Sequence, residues 1–194
     1  MADPAKKIAT YADIEALPPH VVGELIYGSL VTHPRPSPPH SVAQNSLGDE
    51  LTSPFQKGRG GPGGWIFMSE PDLILGGNTV VPDLVAWRRE RMPRIPKTGQ
   101  ISVSPDWLCE ILSPSTERYD RNEKRRIYAQ AGVAFYWMLD PRIGQLECFQ
   151  LVAGNWLLTN TFAQDEIVNA PPFIEHSFPL SNLFPDTESE KSPE

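Results

Sequence analysis

Apolar and polar positions follow one another along this chain in short runs, and each change of period marks a new element. "GELIYGSLVTH" reads as strand, Gly28 turn and strand, a tight hairpin. Before it, Thr10-x-x-Asp13 has the form of a capping box with Asp in place of Glu. It predicts a short helix that stops before Pro18-Pro19. The proline-dense "PRPSPPH" closes the hairpin unit, and Ser37 or the prolines can start a helix through "HSVAQNSLGDELTSPF". Val42, Leu47 and Leu51 are expected roughly on one face of that helix. "KGRGGPGG" is a flexible loop. "WIFM", "DLIL", a "GGN" turn and "TVVPDLVAW" predict antiparallel strands, and a Pro-rich basic loop leads to another strand in "DWLCEIL". "ERYDRNEKRRIYAQAG" predicts a helix stopped by Gly132. "VAFYWMLD", "QLECFQLV" and "NWLLTNTF" predict three further strands, joined by "PRIG" and by a turn around Gly154-Asn155. The fold class is α+β or mixed α/β: a central mixed sheet with a few flanking helices.

Composition narrows this little. The 194 residues, 40% hydrophobic and 21% charged, suit one domain over residues 1–184 with a real core. The remainder, 185–194, is acidic, rich in Ser and Pro, and expected to be disordered. Cys109 and Cys148 both lie in apolar runs, which fits reduced, buried thiols of a cytosolic protein better than a disulfide. No apolar run approaches the length of a signal peptide core or a membrane span, so a cytoplasmic location is expected. The net charge of −7 argues against tight, indiscriminate binding to a polyanion. The charge is uneven, however. "RRERMPRIPK" carries five basic residues against one acidic, and "ERYDRNEKRR" five against three. Either run can touch phosphates or simply face solvent.

Charge inside the apolar runs changes the picture more. Glu110 stands in the middle of "DWLCEIL", and a buried carboxylate must be paired, protonated or bound to a metal. Of four Pro-Asp pairs, only Pro82-Asp83 interrupts a strongly apolar strand. Proline there removes a ladder hydrogen bond and implies an edge, a bulge or a point where strands splay. Asp83 and Glu110 can therefore bring two oxygen donors to one end of a sheet, as a hard divalent cation requires. The alternative is a structural Asp paired with an arginine and a Glu at a sheet edge. Asp120, Lys124 and Tyr128, spaced i, i+4 and i+8, form one stripe on the following helix. Lys124 is expected to reach the Glu110 site from an exposed helix end, braced by Asp120 or Tyr128. An ordinary exposed Asp–Lys pair is the competing reading. Glu24 is a third acid near a strand, and His40 opens a helix. Ser-His-Asp, Cys-His and phosphate-loop arrangements are absent from the local sequence.

Taken together, "GELIYGSLV", "PPHSVAQNSL", "VVPDLVAW" and "CEILSPSTERYDRNEKRRIYAQAGVAFYWMLDP" resemble the Uma2-like (DUF820) family, grouped with endonucleases of the PD-(D/E)XK superfamily. The resemblance runs from about Tyr11 to Phe162. It implies a restriction-endonuclease-like core with the active site at one end of the central sheet. Pro82-Asp83 matches the PD of the motif, Glu110 its second acid and Glu24 the early family acid. Leu112 stands where the motif's lysine is usual; in this family that lysine lies on the next helix, where Lys124 matches. The resemblance implies that Asp83 and Glu110, with the Ile111 carbonyl, hold Mg²⁺ or Mn²⁺, and that Glu24 binds or orients a second ion or its water. Lys124 then offsets transition-state charge, and His40 contacts phosphate or supports a metal ligand. The substrate implied is nucleic acid, DNA first, and apolar strands after Val133 would suit a homodimer that cuts both strands. Two rival classes remain at this level: a nuclease-fold protein that binds nucleic acid or protein without cutting, and a structural or toxin-antitoxin-like partner.

Overall fold

The computed structural model describes residues 8–97 and 99–184; the expected acidic tail, 185–194, lies outside them. The first helix, α1 (Tyr11–Glu15), begins at the predicted cap. There the Asp13 carboxylate accepts the Thr10 N–H and hydroxyl at 2.7 and 2.9 Å. β1 (Val21–Ile26) and β2 (Ser29–Pro34) form the hairpin. Tyr27 and Gly28 both take positive φ, 50° and 75°, as a two-residue primed turn demands. α2 (Pro38–Leu51) follows Ser37, with its two prolines in the first turn, where a missing N–H costs nothing. Its buried face is His40, Ala43, Gln44, Leu47 and Leu51. Val42 is exposed instead. It precedes Leu47 by five residues and so falls off the i, i+3, i+4, i+7 face. The helix continues into a π-helical turn, Thr52–Gln56, which seats Phe55 in the core.

Next come β3 (Trp65–Ser69), β4 (Asp72–Leu75), β5 (Asn78–Val80), β6 (Leu84–Arg88), β7 (Gln100–Ile101) and β8 (Trp107–Ile111). The predicted helix α3, residues 117–130, consists of an α turn (Glu117–Tyr119), a π turn (Asp120–Lys124) and an α segment (Arg125–Gln130). Gly132 stops it at φ +73°. β9 (Phe135–Asp140), β10 (Gln145–Val152) and β11 (Asn155–Ala163) make a meander, and β12 (Ile167–Val168) pairs with β13 (Phe178–Pro179). The β10–β11 turn is Ala153-Gly154, both at positive φ, one residue earlier than expected.

The central sheet is two sheets rather than one. The five-stranded sheet has the order β2-β1-β5-β4-β7 and the six-stranded sheet β11-β10-β9-β8-β6-β3. Both are mixed, with parallel pairs, among the described residues, only at β4–β7 and β8–β9. "TVVPDLVAW" is therefore not a single strand. Its first half ends as β5 in one sheet and its second half starts as β6 in the other, with Pro82, which has no N–H to donate, at the switch. The expected adjacency of β6, β8 and β9 holds. One face of the six-stranded sheet packs on α2 and the C-terminal segment, through Leu47, Phe55, Trp107, Trp137 and Phe173. Its other face packs on the five-stranded sheet and α3, through Leu73, Val85, Leu108, Ile127 and Tyr136. Strand alternation sends Trp107, Cys109 and Ile111 to the first core and Leu108 and Leu112 to the second. Glu110 shares the face of Leu108 and Leu112, between sheet and α3. Among the described residues, no helix is long and apolar enough to cross a membrane.

Candidate active site

The chain's switch between sheets creates the site. Where β5 ends and β6 begins, Asp83 leaves the ladder and turns its carboxylate to the neighbouring strand, where Oδ2 accepts the Ile111 N–H at 2.7 Å. Its backbone carbonyl takes the Glu70 N–H at 3.1 Å and the Gln44 side-chain amide at 2.8 Å. The buried α2 face supplies both Gln44 and His40, whose Nε2 lies 3.2 Å from Asp83 Oδ1. Burial alone would lower the His40 pKa, but Asp83 beside it, with the Ile111 backbone and Glu70, raises it overall.

Lys124 occupies the centre of the neighbouring charges. Its Nζ stands 2.8 Å from Glu110 Oε1, 3.1 Å from Asp120 Oδ1 and 3.2 Å from Glu24 Oε1. The lysine is 2% exposed, so the exposed helix end expected for it is wrong. The π turn brings Asp120 and Lys124 together onto the buried side of α3. Tyr128, one turn later, donates its hydroxyl to Glu110 Oε1 at 2.5 Å. Glu24 lies on β1, in the other sheet. Its Oε1 also accepts the Val81 N–H at 2.7 Å, and His33 Nε2 stands 3.6 Å from Oε2.

Electrostatics sort these acids. Burial would raise Glu24, but Lys124, His33 and the Val81 N–H bring it down to about 2. Burial pushes Glu110 well above the ordinary range; Lys124 opposes this, while Asp120, Asp83 and Glu24 add to it. Asp120 is likewise raised by burial against the pull of Lys124. For Lys124 the carboxylates outweigh burial and hold the ammonium charged. Like charges crowded into a small volume, relieved by one fixed cation, are a common property of catalytic centres. Cys109 and Cys148 are excluded as nucleophiles, because burial pushes both thiols far up.

Asp83, Glu110, Asp120, Lys124, His33 and His40 line one cleft, whose rim carries Arg35 and the Ser113–Thr116 loop. Against the profile of known families, residues 8–181 match the Uma2 model, described as "Putative restriction endonuclease". The chain belongs to the Uma2 family. It is 34% identical over 77 residues to an uncharacterized protein of Synechocystis sp., a match covering 39% of this chain and 40% of that relative. Among solved structures, a "putative nuclease belonging to DUF820" from Anabaena variabilis superposes with a TM-score of 0.73 at 23% identity. That alignment covers 91% of this chain and 97% of the other. At that identity the likeness shows a shared fold.

In this Uma2 chain the predicted residues Glu24, Glu110, Asp120, Lys124 and Tyr128 form one network. Asp83, paired with His40 and bonded to the Ile111 N–H, lines the same cleft beside it. Whether the donors suit a divalent ion depends on what each oxygen already does. Among the described residues, no three His, Cys, Asp or Glu side chains converge as a complete ligand set. Glu24 spends Oε1 on Lys124 and Val81 and turns Oε2 to His33. Asp83 and Glu110 both face the cleft, and each keeps lone pairs beyond its protein contacts. Two hard carboxylates suit an ion such as Mg²⁺, which normally keeps waters and takes up substrate phosphate. Two further residues were missed from the sequence. Gln44 had a legible signal, a polar residue four after His40 on the buried helix face. His33, on an alternating hairpin strand, had none.

Proposed function

We propose that this protein is a metal-dependent endonuclease that hydrolyses phosphodiester bonds of nucleic acid, DNA first. The observation that carries the reading is a buried, charged lysine fixed 2.8 Å from Glu110 in a cleft that Asp83 shares. Asp83 and Glu110 would hold Mg²⁺ or Mn²⁺, which when bound polarises the phosphoryl group and lowers the pKa of an attacking water. The chain's own residues do the rest. Ile111 N–H and His40 fix the two oxygens of Asp83, while the Tyr128 hydroxyl fixes Glu110. Lys124, oriented by Glu24 and Asp120, places a positive charge where negative charge develops on the phosphoryl oxygens, in a site that holds it in advance. The charged form of His40, favoured by Asp83, adds a second cation at the cleft. A homodimer would form along β11, an outer strand with Leu157 and Leu158 exposed.

A second reading, binding of nucleic acid without cutting, is favoured by one observation: Lys124 itself compensates the charge of Glu110 and Glu24. Incubation with single-stranded and duplex DNA and RNA separates the two. The nuclease reading predicts cleavage with Mg²⁺ or Mn²⁺ that stops in EDTA. Intact substrates under every metal condition, with binding retained, would leave the binding role.

A further inference from the structure

We propose that the groove beside the catalytic cleft is a subsite for one unpaired nucleobase, so that the preferred substrate is a single strand or a duplex with an extruded base. This inference rests on the nuclease reading only for placing a strand phosphate near Asp83 and Glu110. The groove is walled by Pro39, Leu112, Pro114, Pro141 and Arg142, and it runs into the cleft through His40 and Ser113, which line both. A strand whose phosphate occupies one therefore lies against the other.

The lining selects a flat, largely apolar ring. Pro39 comes from the first turn of α2, Pro114 from the loop after β8 and Pro141 from the turn after β9. Proline fixes its own φ, so the three walls are stiff and come from three separate elements. At the rim, Arg142 is set as a plate. Its Nε donates to Asp140 Oδ1 at 2.9 Å, and its Nη2 donates to Asp140 Oδ2 at 2.6 Å and Glu117 Oε2 at 2.7 Å. One edge of the guanidinium is thus occupied by two carboxylates, which makes it a poor phosphate ligand. The side chain is still 39% exposed. A guanidinium plane held in this way is a stacking platform for a base.

Spacing and charge agree with this occupant. Leu112 lies two residues past Glu110, about 7 Å along an extended chain. At the ~3.4 Å axial rise of a stacked strand that is about two nucleotides. A base stacked inside a duplex cannot enter a walled groove and must first leave the stack. The long basic run begins at Arg88, the end of β6 opposite Asp83, and part of it is engaged there: Arg88 lies over Trp65 and Arg91 pairs with Asp106. With a net charge of −7, a stacked base would add affinity that phosphate contacts at the cleft do not supply alone.

The test is equilibrium binding of short fluorescent single strands, read by anisotropy in Ca²⁺ and in chelator. One base is removed at each position in turn, and a matched duplex is measured in parallel. Wild type is expected to lose affinity about tenfold when one particular base is missing, roughly the worth of one stacked base, and to prefer the single strand. Arg142→Lys keeps the charge and removes the plate, so it should bind intact and abasic strands alike; a melting curve confirms that it is folded. A flat abasic scan in wild type, tighter binding of duplex, or no binding at all overturns the subsite, whatever the variant does. So does an Arg142→Lys protein that keeps the abasic dependence. Abasic-dependent binding without cleavage in Mg²⁺ would remove the nuclease reading and leave the subsite. Cleavage with a flat scan would do the opposite.

Discussion

Lys124 and Glu24 form an ion pair between α3 and β1, and the burial of both gives it weight. Lys124→Ala leaves Glu24, Glu110 and Asp120 without their common cation. Removing one partner of a buried pair typically costs about 3–5 kcal/mol. Denaturant melts at neutral pH are expected to show a loss of that size, shrinking in acid as the carboxyls take up protons. A loss below about 1 kcal/mol, the worth of a surface pair, would contradict the burial described here. Glu24 makes a separate prediction. Its folded pKa, about 2, lies below the ordinary value of 4.5, so its stabilisation is present above pH 4.5 and lost as the pH falls toward 2. The depression corresponds to about 3 kcal/mol at neutral pH. Glu24→Gln should lower stability by that order and flatten the wild-type decline between pH 4.5 and 2; an unchanged acid limb would remove Glu24 from the network.

The elements that carry these residues differed in how far their sequence announced them. Helix α3 was legible from Glu117 to Gly132, because its polar stripe and terminal glycine are local signals. The hairpin was legible for the same reason. The break at Pro82 was also legible as a splay point, but not the fact that β5 and β6 belong to different sheets. Their partners β1 and β8 lie tens of residues away, and nothing local specifies them. Gln44 now acquires a role at this scale, since α2 uses it to grip the carbonyl of Asp83 at the break. Gln44→Ala leaves the Glu70 N–H on that carbonyl, so about 1 kcal/mol of stability should be lost. On the proposed nuclease reading, cleavage should fall by about tenfold or more, because small displacements of a group that would hold the metal are costly to such a reaction. A lowered melting temperature with an unchanged cleavage rate would make Gln44 merely structural.

At the scale of the molecule, two mixed sheets and α3 enclose a charged centre that no single segment contains. Glu24 reaches it from β1 in one sheet, Glu110 from β8 in the other, and Lys124 from the helix between them. The resemblance to Uma2 proteins named all three. The residue pattern gave a reason for Glu110 and Asp83, pointed Lys124 at Glu110 through the helix stripe, and offered for Glu24 only its place near a strand. The pattern could not show that Lys124 is buried, since an i, i+4 Asp–Lys pair reads alike on either side of a helix. The central claim is that Asp83 and Glu110 form a working divalent-metal site. The direct measurement is thermal melting of wild type and Glu110→Gln, each with Mg²⁺ and with EDTA. Wild type should melt higher in Mg²⁺ by mass-action linkage. Glu110→Gln should melt at or above wild type in EDTA, because burial and neighbouring acids disfavour the charge it removes, and it should gain nothing from Mg²⁺. The account is contradicted if wild type shows no shift with Mg²⁺ or Mn²⁺, if Glu110→Gln shows the same shift, or if Glu110→Gln unfolds in EDTA.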